Sequence, residues 1–503
     1  MRVLRKISSL LLAFALIIAG SLSTNIIEAS AAATMIISSA SISGGSVVIT
    51  ASGVAASEDG MYHLIASAAN QVAPAGKEVA SQGAGSTKFV VPLNKGTADS
   101  VLFKKFTICG KVGGKLVPVS NSMFITNPEA TASHRPKRMD YGKKGILPAL
   151  EKNLADKNLV ADLGIKQVNL NIPISQLNSL GGYDYSVQKY NSLGIQVNVI
   201  LLADKAAGKK YISPLSYKGM GSAHSYYGFN ASSETALEDL GNAAAQLASH
   251  YSNIGFGQVD NFIIGNEVNA WYKWNYMNCG SNDAFMNEYY KAFRVMYNGI
   301  KSENANANVY TCIDHEWAKP EASYYISGKE FLTKLNNLVT AEGNIDWRVA
   351  AHPNNVLLRE PQVWAPSKQV THDQSSPFVT MANLEVLTDY LSLPEMLSPS
   401  GKVRSVKLSE VGYPSNKGEE LQAAAVVFAY NAAMSNSHVD GFVLLRENDH
   451  KEEIAQGLAC GIGNVNDAPK MAYSFYKNAS DPGVIAQANA IAGVDFSQLI
   501  IPR

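Results

Sequence analysis

The feature that most restricts the folds open to this chain is an alternation through its C-terminal part: helical apolar spacing, then glycine or a polar turn, then a short β-branched run. "VADLGIKQVNLNIP" and "YNSLGIQVNVILLA" are two copies of it, with Gly164 and Gly194 just past a helix end, where a left-handed residue is needed, and a strand directly after. The unit recurs. "ETALEDLGNAAAQLASHY" puts Leu237, Leu240, Ala244, Leu247 and Tyr251 on one helical face ahead of a strand at 259–265. Helices over about 283–301, 329–340, 383–391 and 419–435 precede "NVYTCI", "DWRVAAH", "SVKLSE" and "DGFVLLRE", and a last helix near 467–478 closes the series. Successive strands joined by helices pair in parallel beneath a helical cover. Seven strand candidates, 167–172, 197–203, 259–265, 308–313, 346–351, 406–410 and 440–446, predict an α/β fold, a (β/α)8 TIM barrel. Its remaining strand lies upstream, at "NSMFITN" or near "KRMDYG".

Ahead of the barrel the pattern changes. Short alternating runs such as "GSVVITASG", "MYHLIASA" and "TKFVVPL", separated by Gly, Asn or Asp turns, predict a small all-β, sandwich-like domain over 32–130, ended by the polar stretch "EATASHRPKR". A packing or spacer role and a carbohydrate-binding role both fit it. Residues 1–31 read as a secretory signal peptide: Arg2, Arg5 and Lys6, the apolar "LLLAFALIIAG", and Ala29-Ser30-Ala31 with cleavage near Ala31. The apolar core is short of the ~20 residues that span a bilayer. The mature protein, with a barrel over 131–503, is therefore expected to be secreted and free of the membrane. Lysine plus arginine equals aspartate plus glutamate at 42 each, which gives no charge bias toward nucleic acid. Cys109, Cys279, Cys312 and Cys460 lack metal-ligand spacing and form no disulfide framework; buried thiols are expected, with a Cys279–Cys312 bridge as the alternative.

Two carboxylates stand where barrel chemistry occurs, at the C-terminal ends of strands. The apolar run Phe262–Ile264 ends in Gly265-Asn266-Glu267 after the fourth barrel strand, and "VKLSEVGYP" places Glu410 at the end of the seventh. Hydrolysis of a glycosidic bond needs such a pair, one protonated to release the leaving oxygen and one ionised to attack carbon or activate water. "IIGNEVN", "LSEVGYP" and the closing "DAPKMAYSFYKN" resemble, over roughly residues 135–480, the clan A glycoside hydrolases, retaining glycosidases on a (β/α)8 barrel. The resemblance implies that Asn266 binds the sugar 2-hydroxyl, Glu267 is the acid/base and Glu410 the nucleophile.

Other candidates surround the pair. His352, ending the sixth strand, is where clan members often place a residue that hydrogen-bonds nucleophile or substrate; a structural rim histidine is the alternative. Asn169 and Asn171 point into the barrel, as substrate ligands or satisfied core amides. Trp271 and Trp274, with Tyr272 and Tyr276, follow Glu267 on the rim, where flat rings stack on sugars, and Trp317 ends the strand-five run "CIDHEW". Loops at about 204–231, with Tyr211, Tyr226 and Tyr227, and about 353–382, with Trp364 and His372, supply further walls. One departure stands out: where the clan commonly has Trp on strand eight, "VLLREND" offers Arg446, suited to a charged substituent. The expectation is thus a secreted retaining hydrolase of a β-linked glycan or glycoside, without cofactor or metal, whose partner is carbohydrate. Its rivals are a non-catalytic carbohydrate- or cell-wall-binding protein on a degenerate barrel and a metal-dependent hydrolase using Asp314, His315 and His352.

Overall fold

The computed structural model describes residues 34–149 and 161–503, so the expected signal peptide and its cleavage point near Ala31 lie outside the described residues. Among the described residues no helix is long and apolar enough to cross a membrane.

The first seven strands, β1 (Met35–Ser43), β2 (Ser46–Gly53), β3 (Met61–Ser67), β4 (Lys77–Gly83), β5 (Lys88–Pro92), β6 (Lys105–Val112) and β7 (Lys115–Phe124), pair in the order β4-β3-β6-β7-β1-β2-β5. All pairings are antiparallel except the single β1–β7 contact at Met35 and Ser120, and the edges β4 and β5 curl toward each other. Alternation explains the inner layer: Met35, Ile37, Val47, Ile49, Phe89 and Val91 are buried while Ile36 and Val90 face water.

Eight parallel strands then close into a barrel in chain order: β8 (Lys144–Ile146), β9 (Gln167–Pro173), β10 (Gln196–Leu202), β11 (Val259–Ile264), β12 (Asn308–Ile313), β13 (Trp347–Ala351), β14 (Val406–Val411) and β15 (Val439–Leu444). The strand left open by the sequence is the three-residue β8, just after "KRMDYG"; "NSMFITN" belongs to the end of β7 and the turn beyond it. β10 and β11 are buried throughout because helices cover the outside and side chains fill the inside. Outward residues such as Val197, Val199 and Leu201 pack on the helices, whereas Ile200, Leu202, Ile263, Tyr310, Cys312 and Ala350 form a separate apolar plug in the lumen. Below the plug lies a polar layer. Gln167, Asn198, Asn261, Lys407 and Asp440 bond one another there, either directly or through Tyr310 and Asn169.

The β-sheet unit is docked on the barrel's outer helices. Lys104 pairs with Glu234 and, at 2.8 Å, with Glu238, and Lys105 pairs with Glu342 at 2.8 Å. The fully buried Arg294 donates from Nη1 to the Gly343 carbonyl (2.6 Å) and from Nη2 to the Ile125 carbonyl (3.1 Å). A helix beyond the expected last one, Pro482–Ala492, packs on helix Glu419–Ser435; the Asp481 side chain caps its first turn and Gly493 ends it in the left-handed conformation.

Candidate active site

β11 runs apolar to Ile264 and stops because the next residue turns out of the strand. Gly265 has φ +82°, and a Cβ there would meet Asn275 Oδ1 and Val268 Cγ2 at 2.9 Å, so only glycine fits. Glu267 itself has φ +39°, rare for a residue with a side chain. The turn is held by Val268 N–H donating to the Cys312 carbonyl (2.8 Å) and Ala270 N–H to the Glu267 carbonyl (2.9 Å). Its effect is to carry the carboxylate over the C-terminal mouth of the barrel. Glu410, the fifth residue of β14, reaches the same mouth from the opposite side.

Between them is a cavity of about 520 Å³, a volume usual for small-molecule sites, with Ile200 and Leu202 of the plug among its lining. Glu267, His352 and Glu410 converge there: one carboxylate oxygen from each glutamate and one imidazole nitrogen lie within 4.8 Å of one another. His352, buried, donates from Nδ1 to Glu267 Oε1 (2.8 Å) and from Nε2 to Ser409 Oγ (3.0 Å). Burial by itself would lower the imidazolium, but the Cys312 sulfur and the carboxylates of Glu410 and Glu267 raise it well above the ordinary histidine value. Burial would raise Glu267, yet His352, with His315 and Lys273, outweighs it and holds this carboxyl below its usual range. Glu410 is raised, first by burial and then by the charges of Glu267 and Glu453, against the pull of His352 and Arg446.

A second pair of carboxyls adjoins Glu267. Burial pushes Asp314 up to about 7, reinforced by the charge of Glu267, and pushes Glu316 up to about 7, reinforced by Asp314. Asp314 Oδ1 accepts from the Asn269 amide (2.5 Å) and the Glu316 N–H (3.0 Å), and His315 Nδ1 donates to the Asn354 carbonyl (2.9 Å). The set Asp314, His315 and His352 is thus not the one that converges. Among the described residues the group with ligand atoms close enough to hold a cation is Glu267, His352 and Glu410, whose two carboxylates and imidazole suit zinc or a similar ion.

The remaining candidates divide. Asn266, Asn171, Trp274, Tyr226 and Arg446 line the cavity, Tyr226 stacking on Trp274 at 6.1 Å. Asn169 is a satisfied amide at its floor, donating to the Ser409 carbonyl (2.6 Å) and accepting from Asn198 (2.9 Å). Trp271 and Trp317 stand outside the cavity lining: Trp271 turns back onto Phe285 (5.7 Å) and Tyr276, and Trp317 is buried edge-on against Tyr390 (5.3 Å). Trp364 packs on Phe496, Tyr227 is buried, and His372 pairs with Glu385, so the two loops give the cavity Tyr226, Asn354 and Leu358 instead. The four cysteines are unbridged. Lys273, Tyr325, Ser409 and Glu453 line the site without having been singled out; only Ser409, beside Glu410 in "LSEVG", carried a positional signal.

A model for a family of unknown function, DUF5722, matches residues 176–498. A search of curated proteins finds no match. Similar solved structures include a family 39 glycoside hydrolase from the gut symbiont Bacteroides cellulosilyticus WH2, with 14% identity over 84% of this chain and 77% of that one and a TM-score of 0.47. The exo-beta-1,4-mannosidase Op5Man5 from Opitutaceae bacterium strain TAV5 shares 14% identity over 71% of this chain and 62% of that one (TM-score 0.43). A beta-glucosidase from Thermotoga maritima shares 10% over 65% and 85% (TM-score 0.43).

Proposed function

The chain belongs to the DUF5722 family, and from that premise we propose that it is a glycoside hydrolase that cleaves a β-linked glycan or glycoside with retention of configuration. The observation that carries the proposal is the pair Glu267 and Glu410, from opposite sides of the barrel mouth, with carboxylate oxygens within 4.8 Å. Retaining enzymes hold their carboxyl groups roughly 5–5.5 Å apart and inverting ones roughly 6.5–9.5 Å, leaving room for a water. In the proposed cycle Glu410 attacks the anomeric carbon while Glu267 gives its proton to the departing oxygen. A glycosyl ester results. Water, deprotonated by Glu267, then attacks the same carbon and releases Glu410. Asn266 holds the 2-hydroxyl, Asn171 meets other sugar hydroxyls, and Trp274 backed by Tyr226 offers a stacking face.

These roles require the proton to sit on Glu267 at the moment of attack, whereas the shifts run the other way, Glu267 down and Glu410 up. Positive charge developing at the anomeric carbon favours ionised Glu410, and a ring filling the cavity strips water from Glu267. His352, hydrogen-bonded to Glu267 through Nδ1, can hand it that proton.

The test is hydrolysis of a panel of polysaccharides and aryl β-glycosides by wild type, Glu410→Gln and Glu267→Gln. Glu410→Gln is expected to lose on the order of 10⁴-fold or more in kcat. Glu267→Gln should fall ~10²–10⁴-fold on poor leaving groups and much less on dinitrophenyl glycosides, which leave without a proton. Azide added to the alanine variants separates the roles: a β-glycosyl azide from Glu267→Ala and an α-azide from Glu410→Ala. Activity surviving both changes refutes the mechanism. The convergence of Glu267, His352 and Glu410 supports a metal-dependent second reading, in which a chelator, rather than the leaving group, sets the rate.

A further inference from the structure

Resting on the glycosidase reading, we infer that Arg446 and Glu453 together read the glycone and select a neutral sugar, through its hydroxyls, over a uronic acid. Arg446 follows β15, Glu453 lies on the short helix Lys451–Ile454, and both line the cavity that holds Glu410. Arg446 Nη2 donates to Glu453 Oε1, so the guanidinium charge, which alone would call for an anionic substituent, is already balanced. The pair keeps a face toward the cavity, with 26% of the arginine and 23% of the glutamate side chain exposed.

The protein leaves the pair incomplete. Arg446 Nε, a donor, and Glu453 Oε2, an acceptor, are buried without hydrogen-bond partners. A hydroxyl donates and accepts at once, so a slight turn of the pair toward a bound ring lets one hydroxyl, or two neighbouring ones, satisfy both atoms. A carboxylate satisfies the donor only and sets its charge against Glu453. Ionised Glu267 adds to that repulsion within the same cavity, as do Asp314 and Glu316 above the pH of about 7 to which burial pushes them, against Lys273 and the His352 imidazolium as the other cations of the lining.

The experiment compares aryl β-glucoside with β-glucuronide, and β-galactoside with β-galacturonide, at a matched leaving group. In wild type the neutral member of a hydrolysed pair should lead in kcat/KM by at least about tenfold. Glu453→Gln, which leaves Arg446 unbalanced, should narrow that ratio about tenfold or more, while Glu453→Asp keeps it and Arg446→Met weakens the neutral substrate without helping the uronide. A wild type that prefers the uronide, or a Glu453→Gln ratio equal to wild type with thermal unfolding unchanged, overturns the inference. If no glycoside is turned over, the glycosidase reading fails by itself. Calorimetric binding of glucose and galactose against glucuronate and galacturonate then tests the pair: neutral-sugar binding lost in Glu453→Gln upholds it, and uronate preference, or binding of none, overturns it.

Discussion

At Glu267 the backbone accepts a left-handed conformation that costs a non-glycine residue ~1–2 kcal/mol, and it does so within a turn fixed by Gly265 and by hydrogen bonds to β12. Strain kept in this way marks a side chain whose position matters more than its comfort. His352 then decides how that side chain is charged. Its hydrogen bond and charge hold Glu267 down and oppose the upward shift of Glu410. Removing it therefore raises both carboxyls. In the proposed mechanism the nucleophile sets the acidic limb of the pH profile and the acid sets the basic limb. His352→Gln should move both limbs to higher pH and cut kcat/KM by ~10²-fold. A profile that keeps its limbs would reduce His352 to a packing residue.

At the scale of the strand, the barrel carries its polar residues in two places with different purposes. The mouth holds carboxylates that converge on the cavity, whereas the residues of the lower layer bond chiefly one another. Burial would raise Asp440 there, but Lys407, the hydroxyls of Ser405 and Tyr310, and Arg348 outweigh it and hold it at about 2. A depressed carboxyl stabilises the fold fully above its unfolded value near 4, and that contribution, ~2 kcal/mol, is lost as pH falls through about 2. Asp440→Asn should flatten the loss of stability between about pH 4 and 2 in denaturant titrations. It should also destabilise the protein at neutral pH, since Lys407 stays buried without its counter-charge. Equal acid sensitivity in both proteins would show that the layer is not an electrostatic brace.

For the whole molecule, the N-terminal sheet is braced against the barrel rather than tethered to it. Arg294 is the clearest contact: it leaves a barrel helix, lies over the Phe124 ring at 5.0 Å and serves carbonyls on both units. Arg294→Ala leaves those carbonyls buried and unpaired and should cost ~3–5 kcal/mol, with sheet and barrel unfolding in separate calorimetric steps. A single unshifted transition would mean that Arg294 does not brace the two units. This packing supports a bracing role for the sheet, because its contacts fall on the outer helices, away from the cavity.

The sequence by itself determined the αβ alternation, seven barrel strands, the all-β unit and the two rim glutamates. These are local or periodic properties: β-branched runs, glycine past helix ends, an apolar strand that stops at Gly265. Two elements escaped for physical reasons. β8 is three residues, too short to show a period, and helix Pro482–Ala492 has its Asp481 and Gly493 caps but only weak amphipathic patterning. What only the tertiary structure decided is which side chains share the cavity. Trp271 and Trp317 look like sugar platforms in the chain and pack inward, while Glu453, in the polar stretch "DHKEEIAQ", looks solvated and stands beside Glu410. Facing depends on what distant segments bring to the other side, and so does charge: Glu267 is held down by His352, 85 residues away in the chain, through a contact that no local pattern encodes.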